Sequence, residues 1–127
     1  MTPESFFHVA IKADDLETTV AFYRDVLGGD PITESDPDDE ETYVALEVAD
    51  KRVYVFERAP YEIAGLVEEL PTGVLHFGFT VDSVDRVAAE LDEQGVEFLM
   101  EPTTFDDLRV AFCYDPTGAR VELLEIL

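Results

Sequence analysis

The chain has 127 residues, the length of one ordinary domain. Hydrophobic residues make up 46% of it, which is enough for a packed core and excludes a disordered chain. Asp and Glu number 30 against 8 Lys and Arg, which gives a formal net charge of −22. Such an acidic surface repels nucleic acid and anionic membranes, so we expect neither as a partner.

The acidic residues are spread along the chain, and Lys12 and Lys51 are its only lysines. This distribution favours adaptation to a salt-rich cytoplasm, as in a halophile, over a dedicated surface for a basic protein. The single cysteine, Cys113, excludes an intrachain disulfide and is interpreted as a structural thiol in a reducing compartment. No apolar run approaches the roughly 20 residues of a membrane span, and residues 1–5 do not resemble a signal peptide. We therefore expect a soluble, cytoplasmic protein.

Two segments of the chain resemble each other, FFHVAIK at residues 6–12 and VLHFGFT at residues 74–80. They hold the two histidines, His8 and His76, which lie 68 residues apart. The same offset aligns further pairs of residues, which are Asp14 with Asp82, Ala45 with Cys113, and Arg52 with Arg120. We interpret the pattern as an internal duplication.

The first repeat, residues 1–58, is predicted to form a β-α-β-β-β module. Residues 6–12 alternate as a strand does, with His8 and Lys12 on one face. Asp14 is the predicted N-cap of a helix over about residues 15–27, which Gly28 and Gly29 end. Three strands follow, at residues 30–34, 42–48 and 52–57, and a tight turn joins the last two in a hairpin.

The second repeat, residues 73–127, follows a linker at residues 59–72 and has the same order of elements. A strand at residues 73–81 leads to Asp82, the predicted N-cap of a helix that Gly95 ends. Strands are then predicted at residues 96–100, 108–114 and 120–126, and the DPTG sequence at 115–118 is typical of the turn between the last two. We expect a single α+β domain with an eight-stranded, mostly antiparallel sheet.

Glu122 is a carboxylate in the middle of the last predicted strand, flanked by apolar residues. A buried carboxylate without a partner costs several kcal/mol, and a metal ion is one way to keep it charged. His8 and His76 occupy one position of the repeat, and two imidazoles with one carboxylate form a common ligand set for a divalent metal. We therefore predict a metal site made by His8, His76 and Glu122. The alternatives are hydrogen-bonded core histidines and a carboxylate that faces solvent.

Four segments resemble the vicinal oxygen chelate superfamily, which includes glyoxalase I, methylmalonyl-CoA epimerase, extradiol dioxygenases and bleomycin resistance proteins. They are FHV at 7–9, AFYRDVLG at 21–28, LHF at 75–77 and DPTGARVE at 115–122, of which the last is the most specific. The resemblance covers the whole chain and implies two β-α-β-β-β modules that form a cupped sheet around a metal. It also matches His8, His76 and Glu122 to the family's metal ligands, and a homodimer is expected.

By the same resemblance, glyoxalase I and the epimerase carry a Glu or Gln at a fourth ligand position, on the last strand of the first module. The 68-residue offset maps Glu122 onto Tyr54, whereas Glu57 falls on the opposite face of that strand. Tyr54 leaves three protein ligands, as in the iron-dependent dioxygenases, although ring-cleaving members use a further histidine that this chain lacks. Glu57 at this position would indicate a four-ligand lyase or isomerase instead.

Three aromatic residues, Tyr54, Phe56 and Phe112, are predicted to line an apolar pocket beside the metal, and the alternative is that they are plain core residues. Lys12 shares the face of His8 and could bind an anionic substrate, although a lysine that reaches solvent is the more common case.

The sequence thus predicts a metal-dependent enzyme that binds two adjacent oxygens of a small substrate. Its chemistry would be that of a lyase, an isomerase or a dioxygenase, with Glu122 as the candidate base. One divalent ion per chain is expected, with Fe, Mn, Ni, Zn and Co all compatible. The alternative is a protein that sequesters an antibiotic without catalysis.

Overall fold

The computed structural model describes residues 2–36 and 38–127. Its strands are β1 (Ser5–Lys12), β2 (Asp30–Glu34), β3 (Tyr43–Val48), β4 (Lys51–Phe56), β5 (Gly73–Thr80), β6 (Phe98–Phe105), β7 (Leu108–Tyr114) and β8 (Arg120–Ile126). Its helices are α1 (Leu16–Ala21), which a π-helical segment (Phe22–Val26) continues, α2 (Pro60–Ile63) and α3 (Val84–Glu93). The strands form an open, mixed sheet, which confirms the predicted α+β class. Among the described residues, no helix is long and apolar enough to cross a membrane.

The chain divides into two compact units. In residues 8–75 the strands follow the order β2-β3-β4-β1, with β1 and β4 parallel and the other pairs antiparallel. Residues 76–127, with the segment before residue 8, have the order β5-β8-β7-β6, with β5 and β8 parallel. Each unit therefore repeats the strand arrangement of the other. The boundaries proposed for the modules and the linker stay a prediction.

Strand register shows the repeat residue by residue. In the first unit Ala10 of β1 pairs with Tyr54 of β4, and in the second Gly78 of β5 pairs with Glu122 of β8. Both members of the second pair lie 68 residues after those of the first. Tyr54 and Glu122 therefore hold equivalent positions, as the sequence predicts.

The 68-residue offset does not align β3 with β7, because their equivalent residues lie 67 positions apart. Tyr54 pairs with Ala45 of β3, whereas its equivalent Glu122 pairs with Phe112 of β7 and not with Cys113. Five residues separate the paired Tyr114 and Arg120, whereas four separate the paired Glu47 and Arg52, and this extra residue in the β7–β8 connection absorbs the difference. The predicted equivalence of Ala45 and Cys113 therefore fails, while that of β4 and β8 holds.

A helix covers one face of the strands in each unit. The core between α1 and the strands of its unit is built from Ala13, Val20, Leu46 and Val55. The core between α3 and the strands of its unit is built from Val81, Val84, Val87, Ala111 and Leu123. Because side chains alternate along a strand, the histidines of β1 and β5 lie on the opposite face from these cores.

In both helices the N-cap is the residue after the predicted one. Asp15, and not Asp14, caps α1, because its Oδ1 accepts a hydrogen bond from the Thr18 amide at 3.1 Å. Ser83, and not Asp82, caps α3, and its Oγ accepts from an amide at 3.2 Å. Asp82 instead binds the side chain of an arginine one turn further on. When two adjacent residues can both cap a helix, the sequence alone does not show which of them adopts the extended conformation of the cap.

Two other boundaries differ from prediction. The helix predicted at residues 15–27 is α-helical only to Ala21 and then π-helical, and the Leu27 amide donates to the Phe22 carbonyl at 3.3 Å. The strand predicted at residues 96–100 begins at Phe98 and continues to Phe105.

The net charge of −22 predicts a salt-dependent stability. Raising KCl from a low-salt buffer to about 2 M should raise the melting temperature by roughly 10 °C, because screening relieves the repulsion between carboxylates. Thermal unfolding across a KCl series measures it, with sucrose of equal osmolality as the control for co-solute exclusion. A melting temperature that does not change with KCl would contradict the expected salt adaptation.

Candidate metal centre

Both histidines are buried where the repeat places them. His8 on β1 and His76 on β5 are each 3% exposed. Strand alternation turns each of them away from the helix that packs on its own unit. Two potential nitrogen ligands are thereby withdrawn from bulk solvent.

Glu122 is buried in the middle of β8, with 8% of its surface exposed. One of its oxygens lies 3.4 Å from Nε2 of His76. The ring of Phe112 meets the His76 ring edge-on, with 4.9 Å between the centroids. This carboxylate therefore lies beside an imidazole and an aromatic ring, where a charge has to be balanced by a partner.

His8 lies against aromatic residues of its own unit. The ring of Tyr54 meets it edge-on at 5.0 Å between centroids, and Tyr54 contacts Tyr43 at 5.8 Å and Phe56 at 6.1 Å. Phe56 is 5% exposed and Phe112, in the other unit, is 2% exposed. The role of Tyr54, Phe56 and Phe112 in lining a pocket stays a prediction.

His8, His76 and Glu122 form a cluster in which one potential ligand atom from each residue lies within 4.8 Å of the others. Calcium and magnesium prefer sites made entirely of oxygen, whereas imidazole suits zinc, iron, nickel and related ions. Two imidazoles and one carboxylate therefore fit a divalent transition metal. The sequence predicts these three residues as metal ligands, and that they bind an ion stays a prediction.

Tyr54 and Glu57 occupy different environments. Tyr54 lies within β4 against His8, whereas Glu57 follows the end of that strand and is exposed. The repeat counterpart of Glu57 is Glu125, which accepts a hydrogen bond from the Val84 amide, at the start of α3, at 2.9 Å. Of the two candidates, Tyr54 is therefore the residue beside the histidine.

Comparison with protein families identifies the superfamily of the chain. Residues 5–123 match the model of the glyoxalase/bleomycin resistance protein/dioxygenase superfamily. The chain belongs to this superfamily. It is also 33% identical to the uncharacterized protein YwkD of Bacillus subtilis, over 98% of this chain and 99% of that protein. A probable chloroplastic lactoylglutathione lyase of Arabidopsis thaliana is 26% identical, over 93% of this chain and 35% of that protein.

Solved structures share the fold of this chain. A hypothetical protein from Bacillus halodurans superposes with a TM-score of 0.79 at 22% identity, over 97% of this chain and 94% of that one. Methylmalonyl-CoA epimerase from Mycobacterium tuberculosis gives a TM-score of 0.79 at 23% identity, over 98% of this chain and 89% of that one. At such identities the likeness establishes the architecture, so the chemistry has to be argued from the residues of this chain.

The interpretation of Lys12 as a surface lysine is wrong. Lys12 is 6% exposed, and its Nζ donates to Oε2 of Glu62 at 2.6 Å and to the Leu70 carbonyl at 2.7 Å. Glu62 also accepts from the Leu70 amide at 2.7 Å and from the Ala59 amide at 2.7 Å. This buried ion pair ties the segment after β4 to strand β1.

Sequence reasoning missed Glu62, although a signal was present. Pro60 at the first turn of a helix, with a glutamate two residues later, is typical of a capped N-terminus. The glutamate does return to the amide before the helix, that of Ala59. Its second partner, Lys12, lies 50 residues away, and nothing local indicates that contact.

Cys113 is buried on β7, and burial raises the pKa of its thiol. A thiol held in its protonated form is a poor nucleophile. The interpretation of Cys113 as a structural residue is therefore supported.

Proposed function

We propose that this superfamily member is a metal-dependent enzyme that moves a proton at a carbon next to a carbonyl group. Its substrate would be a small molecule with two adjacent oxygens. The observation that carries the proposal is the buried cluster of His8, His76 and Glu122. Two similar proteins are named as a probable lactoylglutathione lyase and a methylmalonyl-CoA epimerase. These names describe a lyase and an isomerase, which are the two classes of enzyme that the proposal favours.

We assign His8, His76 and Glu122 as the ligands of one divalent ion per chain. A bound ion of this kind supplies Lewis-acid stabilisation of the negative charge that develops on a substrate oxygen. The two imidazoles would bind it in their neutral form. The aromatic rings beside each histidine, Tyr54 and Phe112, would keep water away from those nitrogens.

We assign proton transfer to Glu122. Within the described part of the chain, the buried carboxylates are Glu62 and Glu122. Glu62 accepts hydrogen bonds from Lys12 and from two backbone amides, so both of its carboxylate oxygens already make structural contacts. Glu122 is the carboxylate that lies with the histidines, and once released from the ion it would accept a proton from the substrate carbon and return it.

Deuterium exchange tests this reaction class. Protein loaded with Zn²⁺, Mn²⁺, Co²⁺, Ni²⁺ or Fe²⁺ is mixed with methylmalonyl-CoA or S-lactoylglutathione in D₂O, and NMR follows the C–H group next to the carbonyl. We expect exchange with the wild type, a loss of at least ~100-fold in rate with Glu122→Gln, and no loss with the control Glu57→Gln.

Other outcomes of this experiment would replace the proposal. Oxygen uptake without C–H exchange would indicate a dioxygenase, in keeping with three protein ligands. Tight binding with neither exchange nor oxygen uptake would indicate a protein that sequesters its ligand, as the bleomycin resistance members do. The homodimer, the cytoplasmic location and the halophilic origin stay predictions.

A further inference from the structure

Gly78 lies in the interior of strand β5, between two large residues, Phe77 and Phe79. A glycine in the interior of a strand weakens it, because glycine loses more conformational freedom on folding than other residues and packs no side chain. Such a glycine often marks a bulge, a barrel corner, or a place that a ligand or another backbone approaches closely. The surroundings of Gly78 show which of these reasons applies.

The backbone of β5 does not itself require the glycine. Residues 77–80 pair one to one with residues 121–124 of β8, so no bulge interrupts the register at Gly78. The sheet is open, so it has no barrel corner. The extended backbone of such a ladder suits most residues, and β-branched residues in particular. Close approach of a ligand or of another backbone is therefore the reason that remains.

Gly78 shares a face of the sheet with two of the proposed ligands. It lies two residues after His76, so strand alternation places both on one face, and it is the register partner of Glu122 on the neighbouring strand. The distance of 3.4 Å from Nε2 of His76 to a Glu122 oxygen shows that these two side chains meet on that face. Gly78 is buried, as they are, so a side chain at residue 78 would point toward the cluster and not into bulk solvent.

The two cross-strand neighbours of Glu122 differ greatly in size. On β7 it lies opposite Phe112, which is 2% exposed and whose ring packs against His76. On β5 it lies opposite Gly78, which contributes no side-chain atoms. The carboxylate is thus confined on the side of β7, whereas the side of β5 is where the chain leaves room beside it.

The first unit has a small residue at the equivalent position. Ala10 lies 68 residues before Gly78 and two residues after His8, and it is the register partner of Tyr54. Its surface is 0% exposed. Because a small residue follows each histidine at the same spacing, the position serves the face that carries the histidines and is not a peculiarity of β5.

We propose that Gly78 determines which molecules bind at the cluster, because its missing side chain leaves room for a substrate that places two oxygens on the ion. This inference rests on the proposed function and deepens it, since it assigns the substrate to the side of Glu122 that faces β5. A side chain at residue 78 would obstruct a two-oxygen ligand while His76 and Glu122 keep their positions. A ligand that binds through one atom needs less room and would still enter.

Ligand binding to Co²⁺-loaded protein tests this role, with the visible spectrum of the ion as the readout. Acetohydroxamate is the two-oxygen probe, and azide is the probe that binds through one atom. We expect Gly78→Ala to weaken acetohydroxamate binding about threefold and Gly78→Val at least ~10-fold, while azide affinity changes by less than about twofold. Val74→Ile, which enlarges a residue of the same strand that is 69% exposed, is the matched control and should bind both probes as the wild type does.

Two further measurements accompany the binding experiment. Competition with a chromophoric chelator should give a Co²⁺ affinity within about threefold of the wild type for every variant. Thermal unfolding should show that Gly78→Ala and Gly78→Val are at least as stable as the wild type, because both residues suit a strand better than glycine does.

The outcomes separate this role from its alternatives and from the proposed function. A wild type that binds no Co²⁺, or whose bound ion does not respond to acetohydroxamate, would contradict the proposed function and the inference with it. If the wild type responds but Gly78→Val keeps its affinity for acetohydroxamate, the inference alone is wrong. A much lower melting temperature for Gly78→Ala would indicate the close approach of another backbone, and equal losses for both probes would indicate a distorted ion site. Either result would also overturn the inference.

Discussion

Replacing Glu122 by Gln should lower the affinity for a divalent ion by at least ~100-fold, about 2.7 kcal/mol, whereas Glu57→Gln should leave it within about threefold. Glu122 is the carboxylate of the buried cluster, and a neutral amide is a weaker ligand than a carboxylate. Glu57 is exposed after the end of β4, so its charge has little effect on an ion held at the cluster. Competition with a chromophoric chelator measures both affinities under the same conditions.

The comparison of Glu122→Gln with Glu57→Gln also decides the number of ligands. Both substitutions remove one negative charge, so the non-specific contribution of the acidic surface to the ion's affinity cancels between them. If Glu57→Gln loses the ion as severely as Glu122→Gln does, the assignment of Tyr54 to the site is wrong. The centre would then have four protein ligands, as in the glyoxalase-like lyases and isomerases.

Replacing Glu62 by Gln should lower the free energy of unfolding by about 3–5 kcal/mol, because it leaves the ammonium group of Lys12 buried without a counter-charge. The side chains of this pair are 6% and 2% exposed, and they are joined at 2.6 Å. Urea unfolding measures the loss. Asp50→Asn is the matched control, since the pair of Asp50 with Lys51 is solvent-exposed at 3.5 Å and its removal should give no measurable change.

If Glu62→Gln is too unstable to purify, the double variant with Lys12→Met provides the test. Removing both charges eliminates the unpaired ammonium group, so the double variant should be more stable than Glu62→Gln alone. A single variant as stable as the wild type, or a double variant less stable than the single one, would show that this ion pair does not hold the segment in place.

The contribution of Glu62 should also depend on pH. Burial raises its pKa, but the hydrogen bonds from Lys12, Leu70 and Ala59 outweigh burial, so the net pKa lies below the ordinary value of 4.5. Its stabilising effect is therefore fully present above about pH 4.5 and is lost as pH falls through the lowered pKa. The stability difference between wild type and Glu62→Gln should be constant near neutral pH and shrink in acid. A difference that grows on acidification would contradict the assignment.

The sequence predicts the fold, and the burial of His8, His76 and Glu122 in one cluster, because a duplication gives two observations for each position of the repeat. His8 and His76 support each other, and the β1–β4 register reproduces the β5–β8 register at the same offset. The equivalence fails for β3 and β7 because a turn can gain a residue without disturbing the strand that follows it. Alternation predicts different orientations for Tyr54 and Glu57, and in the structure Tyr54 lies against His8 whereas Glu57 follows the end of β4 and is exposed.

The contacts that the sequence did not reveal are those without a local pattern. From the sequence, Lys12 is expected at the surface. It is buried in the structure because it pairs with Glu62, which lies 50 residues away in a segment with no clear periodicity. The hydrogen bond from Arg52 to Tyr54 joins two residues of one strand, but the sequence does not show that Tyr54 also packs against His8. Such contacts depend on tertiary packing, which propensity and spacing do not encode.

Elemental analysis of protein purified without added metal tests the central claim most directly. We expect about one divalent transition-metal ion per chain in the wild type and much less in His76→Ala, since that variant removes one of the three proposed ligands. Folding of the variant is verified by its thermal unfolding, and Glu57→Gln should retain the ion. A folded His76→Ala protein that keeps its full metal content would contradict the proposed centre.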